Sequence, residues 1–272
     1  MAGLFQVLWG QPGGTFKKAA VLNATDDKPL IIPVKDKPGG EGQDWIKNIC
    51  TRPYAVDWNG DGHLDLVVGN FFGTFYLFKG EGKGKFAPVP EEMKAGDQPL
   101  KIEGNHSDPF VIDWDGDGDL DLLSGSSEGG VALAENRAGK GKVPQLAAFQ
   151  SLIKGAGQVE YGKVLREEDL KGPASATRVW ADDVNGDGKL DLLVGDLTTL
   201  ISPAPKLTEQ QLKEKLDEWN KAVSKASAEM NATDKDEKAR NEAIERLQKL
   251  YSQRSEFMKE DRTGFVWLYL QK

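Results

Sequence analysis

The chain has 272 residues, 39% of them hydrophobic and 29% charged, with a formal net charge of -8 at neutral pH. That size suits one large all-β domain or two small ones, and the surplus of acid repels nucleic acid and membrane surfaces while attracting cations. No apolar run approaches the roughly 18 to 20 residues that span a bilayer, the opening MAGLFQVLWG does not read as an export signal, and a lone cysteine, Cys50, excludes an internal disulfide.

The first predicted element is the strand pair GLFQVLWGQPGGTF from Gly3, whose spacing returns in GTFYLFKGEGKGKF from Gly73. KPLIIP from Lys28 likewise matches QPLKIEG from Gln98. From Pro53 comes PYAVDWNGDGHLDLVVG: an apolar strand, an aspartate loop, and a second strand ending in Gly. The unit recurs as PFVIDWDGDGDLDLLSG from Pro109 and RVWADDVNGDGKLDLLVG from Arg178. A Gly-bearing turn and a third apolar strand follow in GTFYLFKG at Gly73, GGVALAEN at Gly129 and GFVWLYL at Gly264. Short β-branched and aromatic runs between Gly and Pro punctuation are strands, and their repetition is the mark of a repeat architecture. The expected unit has four strands, the fourth near PLKI. The predicted fold is therefore all-β, a β-propeller of four-stranded antiparallel blades.

Counting gives strands three and four of a first blade, two full blades, and strands one to three of a last blade. That is roughly three and a half blades, and a ring needs at least about four. Two explanations stand: further repeats upstream, or a homodimer that closes a ring of about seven blades.

Within the last blade, residues 207–262 lack Gly and are rich in Glu, Lys, Gln and Ala. Leu212, Leu216, Trp219, Val223, Ala226 and Met230 step by three and four, one helical seam, with Thr208 as N-cap. NATDKD at Asn231 breaks it, and Ala243, Leu247, Leu250 and Phe257 form a second helical face. The boundaries read are 1–203 for the blades, 204–262 for an inserted helical hairpin and 263–272 for the closing strand. The hairpin is either a solvated decoration or a partner-binding arm presenting Tyr251, Phe257 and Met258.

Each loop reads D-x-[DN]-x-D-G-x-x-D. The first holds Asp57, Asn59, Asp61, His63 and Asp65; the second Asp113, Asp115, Asp117, Asp119 and Asp121; the third Asp183, Asn185, Asp187, Lys189 and Asp191. Alternate spacing turns the oxygens at positions one, three and five toward one point. Gly at position six permits the sharp turn, position seven (His63, Asp119, Lys189) offers its carbonyl, and Asp at nine closes the far side. Such a hard cage of six or seven oxygens suits Ca²⁺ better than Mg²⁺, and it lacks the His or Cys that Zn²⁺ prefers. About three Ca²⁺ per chain are expected. Without a cation the carboxylates repel one another and some take up protons. An EF-hand is excluded because position twelve is Val68, Ser124 or Val194 instead of Glu, and the flanks are strands.

With its three loops in register, the chain resembles the FG-GAP/VCBS repeats of integrin-like β-propellers, in a bacterial style, over nearly all its length but the helical insertion. The resemblance implies a secreted, periplasmic or cell-surface protein that binds proteins or glycans. The function expected is a calcium-binding scaffold or binding module. The alternatives are a polysaccharide lyase or hydrolase on a propeller frame, and a self-assembling fragment with no other activity.

Among the remaining residues, Trp58 and Trp114 at loop position two read as packing between blades or as a sugar platform. His63 reads as exposed, and His106 as a loop histidine with no nucleophile–base partner. Asn23, Asn105 and Asn231 begin N-x-[ST] sequons, while Glu160, Glu167 and Glu168 read as a solvated charged loop.

Overall fold

The computed structural model describes residues 3–35, 42, 44–156, 164–232 and 237–272. It is mostly antiparallel β-strand with two helices, and it divides into two compact units. The first unit comprises Met1–Gly157, Gly172–Asp196 and Val266–Lys272; the second comprises Gln158–Lys171 and Leu197–Phe265.

Two complete repeats occupy the first unit. Strands β1 (Arg52–Val56), β2 (Asp65–Gly69), β3 (Phe75–Phe78) and β4 (Glu91–Glu92) form one sheet in the spatial order β4-β3-β2-β1. Strands β5 (Asp108–Ile112), β6 (Asp121–Gly125), β7 (Val131–Ala134) and β8 (Gln150–Ile153) form the next, in simple meander order. In the third repeat, β9 (Ser175–Asp182) pairs with β10 (Asp191–Pro203). The first unit's part of β10 then pairs with β12 (Val266–Tyr269), Leu193 opposite Leu268. Before these repeats, Gln6–Val7 pairs with Ala20–Val21, and Gly10–Gln11 with Thr15–Phe16. These correspond to β3 with β4 and to the hairpin in which Gly80 faces Phe86.

The inner strands read as unbroken apolar runs because both their faces are covered. Successive side chains on a strand point to opposite faces. Tyr76, Phe78 and Val68 pack with Phe5, Leu22, Leu30 and Ile32 on one face. Phe75, Leu77 and Val67 pack with Leu122, Ala134 and Trp58 on the other. The same division recurs one repeat on, where Phe110, Leu123 and Val131 meet Ala181, Leu192 and Val194. Trp58 is buried in one of these layers and Trp114 packs at the edge of another, so both serve sheet-to-sheet packing.

Consecutive sheets are also latched by a hydroxyl. The Asn70 amide donates to Ser107 Oγ at 2.8 Å, and Ser107 Oγ donates to the Thr74 carbonyl at 2.9 Å. One repeat on, the Ser126 amide donates to Thr177 Oγ1 at 2.9 Å, and that hydroxyl donates to the Gly130 carbonyl at 2.8 Å. The approach is close enough to demand glycine. A Cβ on Gly69 would stand 2.3 Å from the Ser107 carbonyl oxygen, and one on Gly125 would stand 2.0 Å from that of Thr177.

The second unit is built on α1 (Glu209–Ala232) and α2 (Glu237–Ser252). Thr208 caps α1 as expected: its Oγ1 accepts from the Gln211 amide at 3.2 Å, and the Gln211 side chain accepts from the Thr208 amide at 2.8 Å. This is a capping box, satisfying two helix-end groups reciprocally. Leu212, Leu216, Trp219 and Ala226 of the seam are buried, and Trp219 Nε1 donates to the Leu250 carbonyl at 2.8 Å. The NATDKD break runs into residues 233–236, outside the described residues.

Three expectations change. The fourth strand of the first full repeat is Glu91–Glu92, not PLKI: Gln98–Pro99 pairs only with Lys94–Ala95, and Lys101 makes a single bridge to Thr74. The helical hairpin stops short of 262, because β11 (Met258–Thr263) runs antiparallel to residues Thr198–Pro203. Phe257 and Met258 are not on a free helical face: both are buried against Ile201, Leu212 and Trp219, while Tyr251 is exposed and stacks edge-on with Trp219.

Candidate metal centres

Each aspartate loop joins the first two strands of a repeat, closing at Val56 opposite Asp65 and at Ile112 opposite Asp121. Such a tight turn leaves backbone amides without strand partners, and the acidic side chains take them. Position one carries most of the load. Asp57 accepts from the amides of Asp61 at 3.0 Å and Gly62 at 2.9 Å. Asp113 accepts from Gly116 at 2.8 Å and Gly118 at 3.0 Å. Asp183 accepts from Gly186 at 2.7 Å and Gly188 at 2.9 Å. The glycine at position six has φ of 85°, 91° and 85° in turn (Gly62, Gly118, Gly188), a left-handed geometry that favours glycine.

Positions three and five are bonded alike in every copy. Asn59, Asp115 and Asn185 accept from the amides of Asp61, Asp117 and Asp187 at 2.9, 3.1 and 2.8 Å. Asp61, Asp117 and Asp187 accept from the amides of His63, Asp119 and Lys189 at 2.9, 3.0 and 3.0 Å. The His63 amide and the Asn59 side chain hold the Asp61 carboxyl below the usual carboxylate range.

The second loop gathers the most charge. Carboxylate oxygens of Asp113, Asp115 and Asp117 lie within 4.8 Å of one another. Among the described residues this is the one such grouping of three acidic, His or Cys side chains. In the other two loops the middle residue is the amide Asn59 or Asn185, which halves neither the bonding nor the spacing but lowers the negative charge by one.

Position nine behaves differently from the rest. Asp65, Asp121 and Asp191 are fully buried. One oxygen of each accepts from the position-two amide: Trp58 at 3.1 Å, Trp114 at 2.9 Å and Val184 at 3.1 Å. The other accepts from the second residue beyond the third strand: Gly80 at 2.7 Å, Asn136 at 2.7 Å and Gln271 at 2.9 Å. This aspartate ties its loop to the neighbouring strand. Burial pushes the Asp65 and Asp121 carboxyls upward, against the pull of those amides.

Position seven was expected to matter through its carbonyl. Lys189 and His63 have exposed side chains, the His63 ring lying along Gly82. Asp119 is buried: Oδ2 accepts from the Gly139 amide at 2.6 Å, and Oδ1 has no hydrogen-bond partner among the described residues. Burial raises its carboxyl. Sequence reasoning missed this side chain, and the acidic residue at a position filled elsewhere by His and Lys was the available signal.

The donor set fits a hard divalent cation. It offers oxygen alone, it is folded by its own backbone amides, and in the second loop it concentrates three carboxylates whose repulsion a cation would relieve.

The other residues singled out lie apart from these loops. His106 has φ of 60° and stacks edge-on with Phe71 at 4.4 Å between centroids. Cys50 is exposed. Asn23 is half-buried, while Asn105 and Asn231 are exposed; Glu167 and Glu168 are exposed on a short 3-10 turn, and Glu160 lies outside the described residues. No helix among the described residues is long and apolar enough to cross a membrane.

A protein-family profile described as an FG-GAP-like repeat matches residues 57–124 and again 113–194. The matched stretches contain all three loops. No curated protein matches the chain. A solved structure of an Agrocybe aegerita lectin, described as recognising non-reducing terminal N-acetylglucosamine, is 20% identical with a TM-score of 0.35. The alignment covers 71% of this chain and 42% of that lectin.

Proposed function

The chain belongs to the FG-GAP-like repeat family, and from that premise we propose that it is a β-propeller-type binding module with calcium as a structural ion. The observation that carries this reading is the threefold recurrence of one loop conformation, with three carboxylates converging in the second copy. Positions one, three and five would hold the ion, with the carbonyls of His63, Asp119 and Lys189 as further donors. Bound calcium would neutralise the loop and pin β1 to β2, β5 to β6 and β9 to β10, so that its binding energy becomes folding energy.

The ligand in this reading is a protein or a glycan met outside the cell or at its surface, and the module is not an enzyme. Rigid sheets with both faces covered leave recognition to the connecting loops.

Thermal melts test the proposal. A ligand that binds only the folded state at a hundred times its Kd adds about 2.7 kcal/mol per site. Calcium should therefore raise the Tm by several degrees and EGTA should reverse the rise. Identical melts in calcium and EGTA would sink the reading.

A further inference from the structure

The second loop carries more acid than its motif requires. From position one to position nine it holds five aspartates, where the first and third loops hold three each. One of the extra two is Asp115, at the position of Asn59 and Asn185. The other is Asp119, at the position of His63 and Lys189. This loop belongs to the middle repeat and lies wholly within the first unit.

Asp119 is 8% exposed. Its Oδ2 accepts from the Gly139 amide at 2.6 Å, and its Oδ1 meets no donor among the described residues. In the first loop the His63 ring lies along Gly82, so the position-seven side chain reaches the turn beyond the third strand in both repeats. In the second loop it brings a carboxylate there. That carboxyl stands within hydrogen-bonding reach of the Asp117 carboxyl and is repelled by Asp115 as well. Both neighbours belong to the converging set Asp113, Asp115 and Asp117. The unmet oxygen therefore borders the point on which the other three converge. Lys140 lies beside Gly118 through its methylenes, but its ammonium pairs with no carboxylate among the described residues.

A buried carboxylate oxygen without a donor, set against a second carboxylate, is costly unless a proton or a cation lies between them. A proton serves one pair, whereas a divalent cation serves all four groups. Ligands held 2.3–2.6 Å from one Ca²⁺ lie within about 5 Å of each other, and Asp119 falls outside the set that meets this condition. It is placed to face a water on the ion instead of the ion itself. We propose that the Asp119 carboxylate is a further group of the second metal centre, holding a water on the bound Ca²⁺, and that it makes this loop the tightest of the three sites. This holds only if the loops bind Ca²⁺ as proposed above. Affinity in such oxygen cages rises with the number of charged groups, and groups one step out from a metal commonly change affinity 10- to 100-fold.

Calcium titration calorimetry on the whole chain tests this, with Asp119→Asn as the probe. The amide keeps an oxygen for the Gly139 N–H and nearly the same shape, and it removes the charge. Wild type should show one tight site ahead of two weaker ones. Asp119→Asn should weaken the tight site about 10- to 100-fold, leave the weaker two unchanged, and melt in EGTA no earlier than wild type. His63→Asp, which sets a carboxylate against the matching turn at Gly82, should tighten one of the weaker sites. Three equal sites in wild type would overturn the proposal while leaving calcium binding intact. So would an Asp119→Asn variant that melts earlier in EGTA yet keeps the tight site, because Asp119 would then serve the fold alone. Absence of calcium heat in wild type and both variants would remove this proposal together with the reading on which it rests.

Discussion

Replacing Asp121 by Asn separates two jobs that one motif position could do. Both oxygens of Asp121 accept backbone amides, from Trp114 at 2.9 Å and from Asn136 at 2.7 Å. Asparagine has a single oxygen, so one buried N–H would face an NH₂ donor. An unmet buried polar group costs about 1–3 kcal/mol. Against this, burial disfavours the charge on Asp121, and the neutral amide removes that cost. The net loss should be about 2 kcal/mol, a Tm drop of about 4–8 °C for a domain of this size. The assay is a thermal melt in EGTA, where no metal contributes. Asp191→Asn should behave alike, because its oxygens accept from Val184 and Gln271 in the same way. Coincident melts of variant and wild type in EGTA would refute the reasoning and make position nine a metal ligand alone.

The close approach at Gly125 predicts that Gly125→Ala costs about 2 kcal/mol or more through overlap with the Thr177 carbonyl, whereas Gly195→Ala, with no atom within 4 Å of the added Cβ, should change stability by less than about 1 kcal/mol; denaturant melts compare them. His106 has its pKa lowered by burial and by the nearby Arg52. Between that value and the unfolded value of about 6.5 the unfolded chain binds more protons, so stability is full above about 6.5 and falls as pH drops. His106→Asn, which tolerates the positive φ, should flatten the slope of Tm between neutral pH and about pH 5. Thr208→Ala should cost the second unit about 1 kcal/mol by breaking the capping box, seen as earlier loss of helical dichroism at 222 nm.

The loops were legible because their chemistry is local. Acidic residues at alternate positions followed by Gly dictate a turn whose amides the side chains can reach, and the bond from the position-six glycine to position one, with those accepted by positions three and five, appears in all three copies. Position nine was placed by sequence on the far side of an ion, yet its two oxygens are met by backbone, one of them from a strand 15 residues on in the first loop. Spacing within a motif cannot show that partner. The Ser107 and Thr177 latches were invisible for the same reason, since their partners lie in the neighbouring repeat. Glu91–Glu92 lacks any apolar alternation, so nothing local marks it as a strand. The charged stretch Met258–Thr263 reads as helix by propensity, but pairing with Thr198–Pro203 overrides it. The helical seam from Leu212 was legible because its buried face repeats every three or four residues.

Titration calorimetry with calcium tests the central claim most directly. The account predicts uptake of about three ions per chain, with Asp113→Ala removing one site and leaving the other two. Absence of heat at millimolar calcium, together with melts that EGTA does not shift, would contradict it.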